Sequence, residues 1–208
     1  MTEAQPVLAP PVDLDEIRSL SNEQLVMRYR RSIGGMDSRA FELDDELADM
    51  AFLDDAGVGR WPVRVLLGHL MDAEIVYTWR VRRTLWEDRP VLEVWDENAP
   101  IDQGVYGAGV ELHAKGTTIS PALGAFAATI YTLRSMMSQT LVQLPPDAWR
   151  RVAMHPERGE MTVKDIVAFA VWHLEHHTRF LNAKLVKLLG PHPVSEGCCG
   201  GSGGGGVG

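Results

Sequence analysis

Thr162-Val163-Lys164-Asp165-Ile166-Val167-Ala168-Phe169-Ala170-Val171-Trp172-His173-Leu174-Glu175-His176-His177 is the stretch whose reading decides the fold. Thr162 followed by Asp165 is a capping-type start, and apolar residues then recur at three- and four-residue steps to Leu189. Gly190-Pro191 stops the pattern. The apolar positions Val163, Ile166, Val167, Phe169, Ala170, Leu174, Phe180, Leu181, Leu185 and Leu188 define one core-facing direction. With a turn of about 100° per residue, His177 lies within about 20° of that direction and His173 within roughly 60°. His176 falls about 120° away, toward solvent or a neighbouring rim. His173 and His177 therefore share a buried face one turn apart, and both imidazoles can reach a single ion.

Working outward, three more helices carry the same period. One runs from about Ser21, a plausible N-cap, to Ile33, where Gly34-Gly35 ends it. Another begins near Trp61-Pro62 and continues to Trp86, with Leu66, Leu70, Ala73, Tyr77, Val81 and Leu85 as its apolar steps. A third spans about Ser120-Pro121 to Leu144, where Pro145-Pro146 stop it. Arg39 to Phe52 predicts a short additional helix on Phe41, Leu43, Leu47 and Met50. The connection over 87–118 is long and rich in Gly, Pro and Asp, as a crossover or lid would be. Pro90 to Trp95 could be extended, but no partner strand is evident. The expectation is an all-α four-helix bundle with one long crossover between helices 2 and 3. Residues 13–190 form the bundle, 1–12 a flexible N-terminus, and 191–208 a disordered Gly-rich tail.

His69 lies on the second helix, beside Leu66, Ala73 and Tyr77 on its buried side. A lone core-facing histidine is usually a satisfied polar group. Two imidazoles on one buried face are costly unless something pairs them. A third ring from His69 would complete a set of three nitrogen ligands with a position left open, the pattern of a catalytic rather than a structural site. Competing motifs fail. Glu175 is at the wrong offset for a zincin motif, and the paired Glu-x-x-His steps of a di-iron bundle are absent from the core positions. The site reads as mononuclear.

Composition narrows the function. With 28 acidic against 20 basic residues the formal net charge is -8, which argues against a nucleic-acid surface or an anionic membrane. Residues 1–11 have no basic or apolar targeting pattern, and no apolar run approaches a membrane span. The two cysteines, Cys198 and Cys199, are adjacent, which excludes a disulfide framework and points to the cytoplasm. Trp61, Trp79, Trp86 and Trp149 read as packing or cleft-wall residues, and Asp44-Asp45-Glu46 as a solvated turn.

Three segments carry a family likeness. Gly59-Arg60-Trp61-Pro62-Val63-Arg64-Val65-Leu66-Leu67-Gly68-His69-Leu70-Met71-Asp72-Ala73-Glu74 resembles the second-helix signature of the DinB/YfiT-like superfamily. Arg82 to Leu92, followed by Trp95-Asp96-Glu97, resembles the crossover start of its YfiT-like branch. His155-Pro156-Glu157-Arg158-Gly159-Glu160-Met161-Thr162, with Trp172-His173 and His176-His177, resembles that branch's entry into helix four. The resemblance covers roughly 20–190. It implies a bundle of up-down-down-up topology and one divalent ion, zinc or nickel, on His69, His173 and His177. It also implies a homodimer. Members of the branch are described as metal-dependent hydrolases, and some transfer a low-molecular-weight thiol such as bacillithiol. The segment Gly34 to Gly59 is longer than usual for the family, and the Cys-Cys tail has no counterpart in it.

Three functions follow from these readings. The first is transfer of a low-molecular-weight thiol to a small-molecule electrophile, with the thiol deprotonated by the cation. The second is hydrolysis by metal-activated water. The third is a non-catalytic metal-binding stress-response bundle, which a fourth protein ligand such as His113 or His155 would mark. Asp72, one turn after His69, is a candidate to orient that imidazole. His155, from the loop before the last helix, is a candidate acid-base group for the cleft, whereas Glu175 points away.

Overall fold

The computed structural model describes residues 8–107, 110–112, 117–119 and 121–191, the strand residues between 110 and 119 by their backbone alone. Residues 1–7, His113, His192 and the Cys198-Cys199 pair lie outside them. A short helix α1 (Leu14–Ser19) leads into α2 (Asn22–Arg31). At Ser21 the predicted cap is a full capping box, because Gln24 returns a hydrogen bond to the Ser21 backbone. The helix tightens into a 3-10 turn over Ser32–Gly35, so it ends slightly earlier than its apolar period suggests.

The helix expected over 39–52 is not continuous. It resolves into a 3-10 turn, Ser38–Phe41, and a single turn α3 (Asp45–Ala48). The physical reason is the acidic run. Asp44 caps the Leu47 N–H, while Asp45 and Asp49 pair with the buried Arg64 guanidinium at 2.5 and 2.6 Å. The run Asp44-Asp45-Glu46 is exposed, as a solvated turn is, and Asp45 with Asp49 also clasps Arg64.

The three long helices follow as α4 (Val63–Trp86), a short α5 (Ala99–Asp102) in the crossover, α6 (Leu123–Val142) and α7 (Val163–Leu189). Thr162 and Asp165 form the capping box that the sequence predicts, and Gly190 closes α7 at φ 79°. Among the described residues no helix is long and apolar enough to cross a membrane.

Two antiparallel hairpins interrupt the helical plan. The first pairs β1 (Val110–Leu112) with β2 (Thr117–Ile119) inside the crossover. The second pairs β3 (Val152–His155) with β4 (Gly159–Thr162), from Val152 opposite Thr162 to His155 opposite Gly159, with Gly159 supplying the positive φ of 74° at the turn. This second hairpin is the missing partner of the extended segment after Pro90. Leu92 N–H donates to Met154 O and Met154 N–H to Pro90 O, each at 2.8 Å. The crossover is thereby tied to the entrance of α7.

A polar layer divides the core in two. One apolar cluster gathers Leu25, Val26, Ala73, Tyr77, Val81, Met137, Leu141 and the first turns of α7. The other gathers Leu66, Leu67, Leu70, Phe126, Ile130, Leu174, Leu181 and Leu185. Between them lie Glu74, Arg134 and His173, all buried.

Candidate metal centre

His69, His173 and His177 meet at this layer. His69 is wholly buried, His173 is nearly so, and His177 is partly open. The Nε2 atoms of His69 and His173 are 3.1 Å apart, and one ligand nitrogen from each of the three rings lies within 4.8 Å of the others. The ring centroids of His173 and His177 are 4.6 Å apart, as one helical turn dictates, and His69 stands 5.0 and 4.9 Å from them. The sequence brings these three rings together through two helices and a shared apolar face.

The rings have the chemistry of ligands. Burial lowers His69 to about 4, and burial with the neighbouring histidines lowers His177 to about 3. Burial first, then the adjacent imidazoles and Arg134, hold His173 well below the usual range. All three are therefore neutral at pH 7 and present lone pairs. A divalent ion about 2.05 Å from each of two imidazoles separates their nitrogens by about 2.9 to 3.4 Å for ligand angles of 90 to 109°. The observed 3.1 Å lies inside that range. No carboxylate joins the group among the described residues. Buried, neutral and convergent, the cluster fits a borderline-soft divalent cation.

The surroundings form a cleft of about 720 Å³ lined by Tyr77, Arg80, Trp95, His155, Arg158, His173 and His177, among others. Trp95 stacks on His69 with centroids 5.6 Å apart, and Trp61 covers His69 and His177 at 5.1 and 6.0 Å. Trp61 is a wall residue, as expected, although of a smaller cavity that adjoins His177, and Trp149 packs in the core. Trp79 and Trp86 do neither: both are more than half exposed on the outer face of α4, and Arg82 lies over Trp86 at 4.2 Å. Tyr77 meets His173 edge-on at 5.6 Å.

His155 reaches the cleft from β3. It is buried, and its Nδ1 accepts the Glu157 N–H at 3.2 Å, so the neutral ring carries its proton on Nε2. Burial, with Arg80 and Arg158, lowers its pKa. Asp72 is placed differently from the sequence reading. Its carboxylate accepts the Tyr106 hydroxyl at 2.7 Å, whereas the His69 Nδ1 is buried without a hydrogen-bond partner. Asp72 fastens the crossover and does not orient the imidazole. Glu175 turns outward into an ion pair with Arg28 at 2.8 Å, and His176 stacks on Trp172 at the cleft rim.

Sequence reasoning missed Trp95, Arg80 and Arg158 as site residues. Trp95 lies in a segment without helical period, and its role depends on the hairpin that anchors the crossover. Arg80 follows Tyr77 by three residues, one helical step further along the same wall.

The sequence model of the DinB superfamily matches residues 14–181. This chain belongs to the DinB superfamily. Three relatives carry the name "putative metal-dependent hydrolase". The one from Oceanobacillus iheyensis is 26% identical over 136 residues, 65% of this chain and 69% of its own. That from Halalkalibacterium halodurans is 20% identical over 165 residues, covering 79% and 89%. That from Bacillus licheniformis is 26% identical over 147 residues, covering 70% and 74%. Among solved structures, YfiT from Bacillus subtilis superposes with a TM-score of 0.64 at 21% identity, over 82% of this chain and 90% of that one. It is described as "a probable metal-dependent hydrolase with an unusual four-helix bundle topology". At this identity the likeness shows the DinB fold: a YfiT-like four-helix bundle.

Proposed function

We propose that this protein is a metal-dependent enzyme that transfers a low-molecular-weight thiol to a small electrophile. His69, His173 and His177 would hold one divalent ion, zinc or nickel, and the observation that carries the reading is their neutral, buried convergence beside an open cleft. When bound, such an ion supplies Lewis acidity that favours the deprotonated form of a thiol or a water.

The chain's own residues supply the rest. Arg80 and Arg158 line the cleft, and among the described residues neither is in a direct ion pair, so both are available to an anionic thiol cosubstrate. The His155 Nε2–H can donate to a departing group, because Nδ1 is occupied by Glu157. Trp61 and Trp95 exclude water around His69. In the overall reaction the thiol loses its S–H proton, an S–C bond forms to the electrophile, and its leaving group departs with a proton.

Hydrolysis is the second reading, favoured by the names of the relatives. It uses the same ligands with water in place of the thiol. One experiment separates them: the metallated protein is offered monobromobimane with several thiols and, separately, a panel of esters and amides. Thiol-dependent turnover is expected. Clear hydrolysis without it would overturn the transferase reading, and no metal in the purified protein, or full metal content in His69→Ala and His177→Ala, would overturn both. The homodimer implied by the family resemblance joins this proposal, with the exposed Ile75, Trp79 and Trp86 on α4 as its contact face; light scattering should return twice the 23.0 kDa chain mass.

A further inference from the structure

A second, smaller cavity of about 330 Å³ adjoins the histidines on the side away from the polar cleft. His177 borders both spaces. Val58, Trp61, Leu66 and Phe180 make the annex apolar; Lys184 and Arg60 line it as well, but Arg60 is exposed and already paired with Asp54 at 3.2 Å.

Lys184 is unusual in its setting. Its side chain is 1% exposed, yet among the described residues it has no carboxylate partner. Nζ donates to the Gly59 carbonyl at 2.6 Å and lies 4.4 Å over the Phe52 ring. An ammonium has three donors and a full charge. A carbonyl dipole and a ring face satisfy part of the first and do not neutralise the second. Burying such a charge is costly unless a counter-ion arrives. Burial lowers its pKa to about 8, so it still carries its proton at neutral pH.

We infer that the annex takes the apolar arm of an amphipathic substrate and that Lys184 pairs with an anionic group, a carboxylate, at the end of that arm. The inference rests on the histidine cluster being the reaction centre and adds the class of molecule it receives. Lys184 follows His177 by seven residues on α7, two turns or about 10.5 Å along the axis. The reacting group and the carboxylate therefore sit at opposite ends of an apolar arm rather than on neighbouring atoms. The apolar lining excludes a short polar acid, and the ammonium discriminates against a neutral end group.

A purely structural lysine, pinning the segment around Gly59, makes a different prediction. It would affect stability without distinguishing a carboxylate from its neutral isostere. Calorimetric titration of the full-length metallated protein with octanoate and with octanamide separates the two. Wild type is expected to bind octanoate at least tenfold more tightly. Lys184→Met should bring the two ligands within twofold of each other while binding octanamide within threefold of wild type. Lys184→Arg, which keeps the charge, should retain most of the preference. Absence of a preference in wild type, or its persistence in Lys184→Met (which would place the carboxylate on the ion), overturns the inference. Metal content is read in the same samples. Its absence from wild type condemns the metal reading, whereas loss of the octanoate preference at full metal content condemns only the role of Lys184.

Discussion

Arg134 Nε donates to Glu74 Oε2 at 2.8 Å in the middle of the bundle, with the two side chains 1% and 2% exposed. Glu74 also accepts the Tyr29 hydroxyl. The remaining Arg134 donors reach the Tyr29 carbonyl, the Ser32 hydroxyl and the Ala170 carbonyl at 2.9, 2.5 and 2.7 Å. One guanidinium thus touches α2, α4 and α7 from its own place on α6. Glu74 is five residues beyond His69, and Ala170 three before His173. The network therefore sets the relative height of the two helices that bring the histidines together.

Removing one partner leaves the other charge buried and unpaired. Arg134→Met is expected to lower stability by about 3–5 kcal/mol in urea denaturation, and Glu74→Leu by a similar amount. The double variant should recover most of that loss, since two apolar side chains replace two charges. Additive losses in the double variant would mean that packing, not charge pairing, holds this layer.

Much of this architecture was legible in sequence because periodicity and caps are local. Thr162, Asp165, Gly190 and the apolar steps between them predict α7 with its histidine face. Ser21 and Pro145-Pro146 likewise predict helix ends. What escaped depends on pairing over long distances. Nothing near Val152 or Gly159 announces a hairpin, since the strands are four residues each and only the first alternates in burial, too little pattern to register. The same holds for Arg134 and Lys184, whose spacing places them inward while their charge argues for the surface. The histidine cluster was readable because two of its members share one helix; its walls were not, because Trp95 is positioned by the hairpin.

Asp72 and Tyr106 provide a test of that correction. If the Asp72 carboxylate serves the crossover, Asp72→Asn and Tyr106→Phe should each leave metal content unchanged while loosening residues 99–107. Limited proteolysis is expected to cut this segment faster in both variants. A drop in metal content in Asp72→Asn alone would restore its role beside His69.

Gly68 shows how closely the crossover lies on α4. A Cβ at this position would stand 2.3 Å from Tyr106 Cδ1 and 2.9 Å from its Cβ. The Tyr106 ring is buried, so it has little room to retreat. Gly68→Ala should therefore cost about 1–3 kcal/mol by overpacking, despite the better helix propensity of alanine. Unchanged or increased thermal stability would show that the crossover can lift away from the helix freely.

The histidines also set a pH dependence for the metal-free protein. Folding lowers His69 to about 4 and His177 to about 3, from an ordinary value near 6.5. Between those limits the unfolded chain binds more protons than the folded one, so stability rises with pH. The contribution is complete above pH 6.5 and is lost as pH falls toward 4, on the order of 2 kcal/mol per imidazole by pH 4.5–5. A bound ion, which requires the neutral rings, steepens the same dependence. Urea midpoints of the metal-stripped protein should fall across this window, and His69→Gln/His177→Gln should flatten the fall. Parallel curves for wild type and double variant would show that the two rings titrate as solvated histidines do, and that the cluster is neither as dry nor as close as the structure places it.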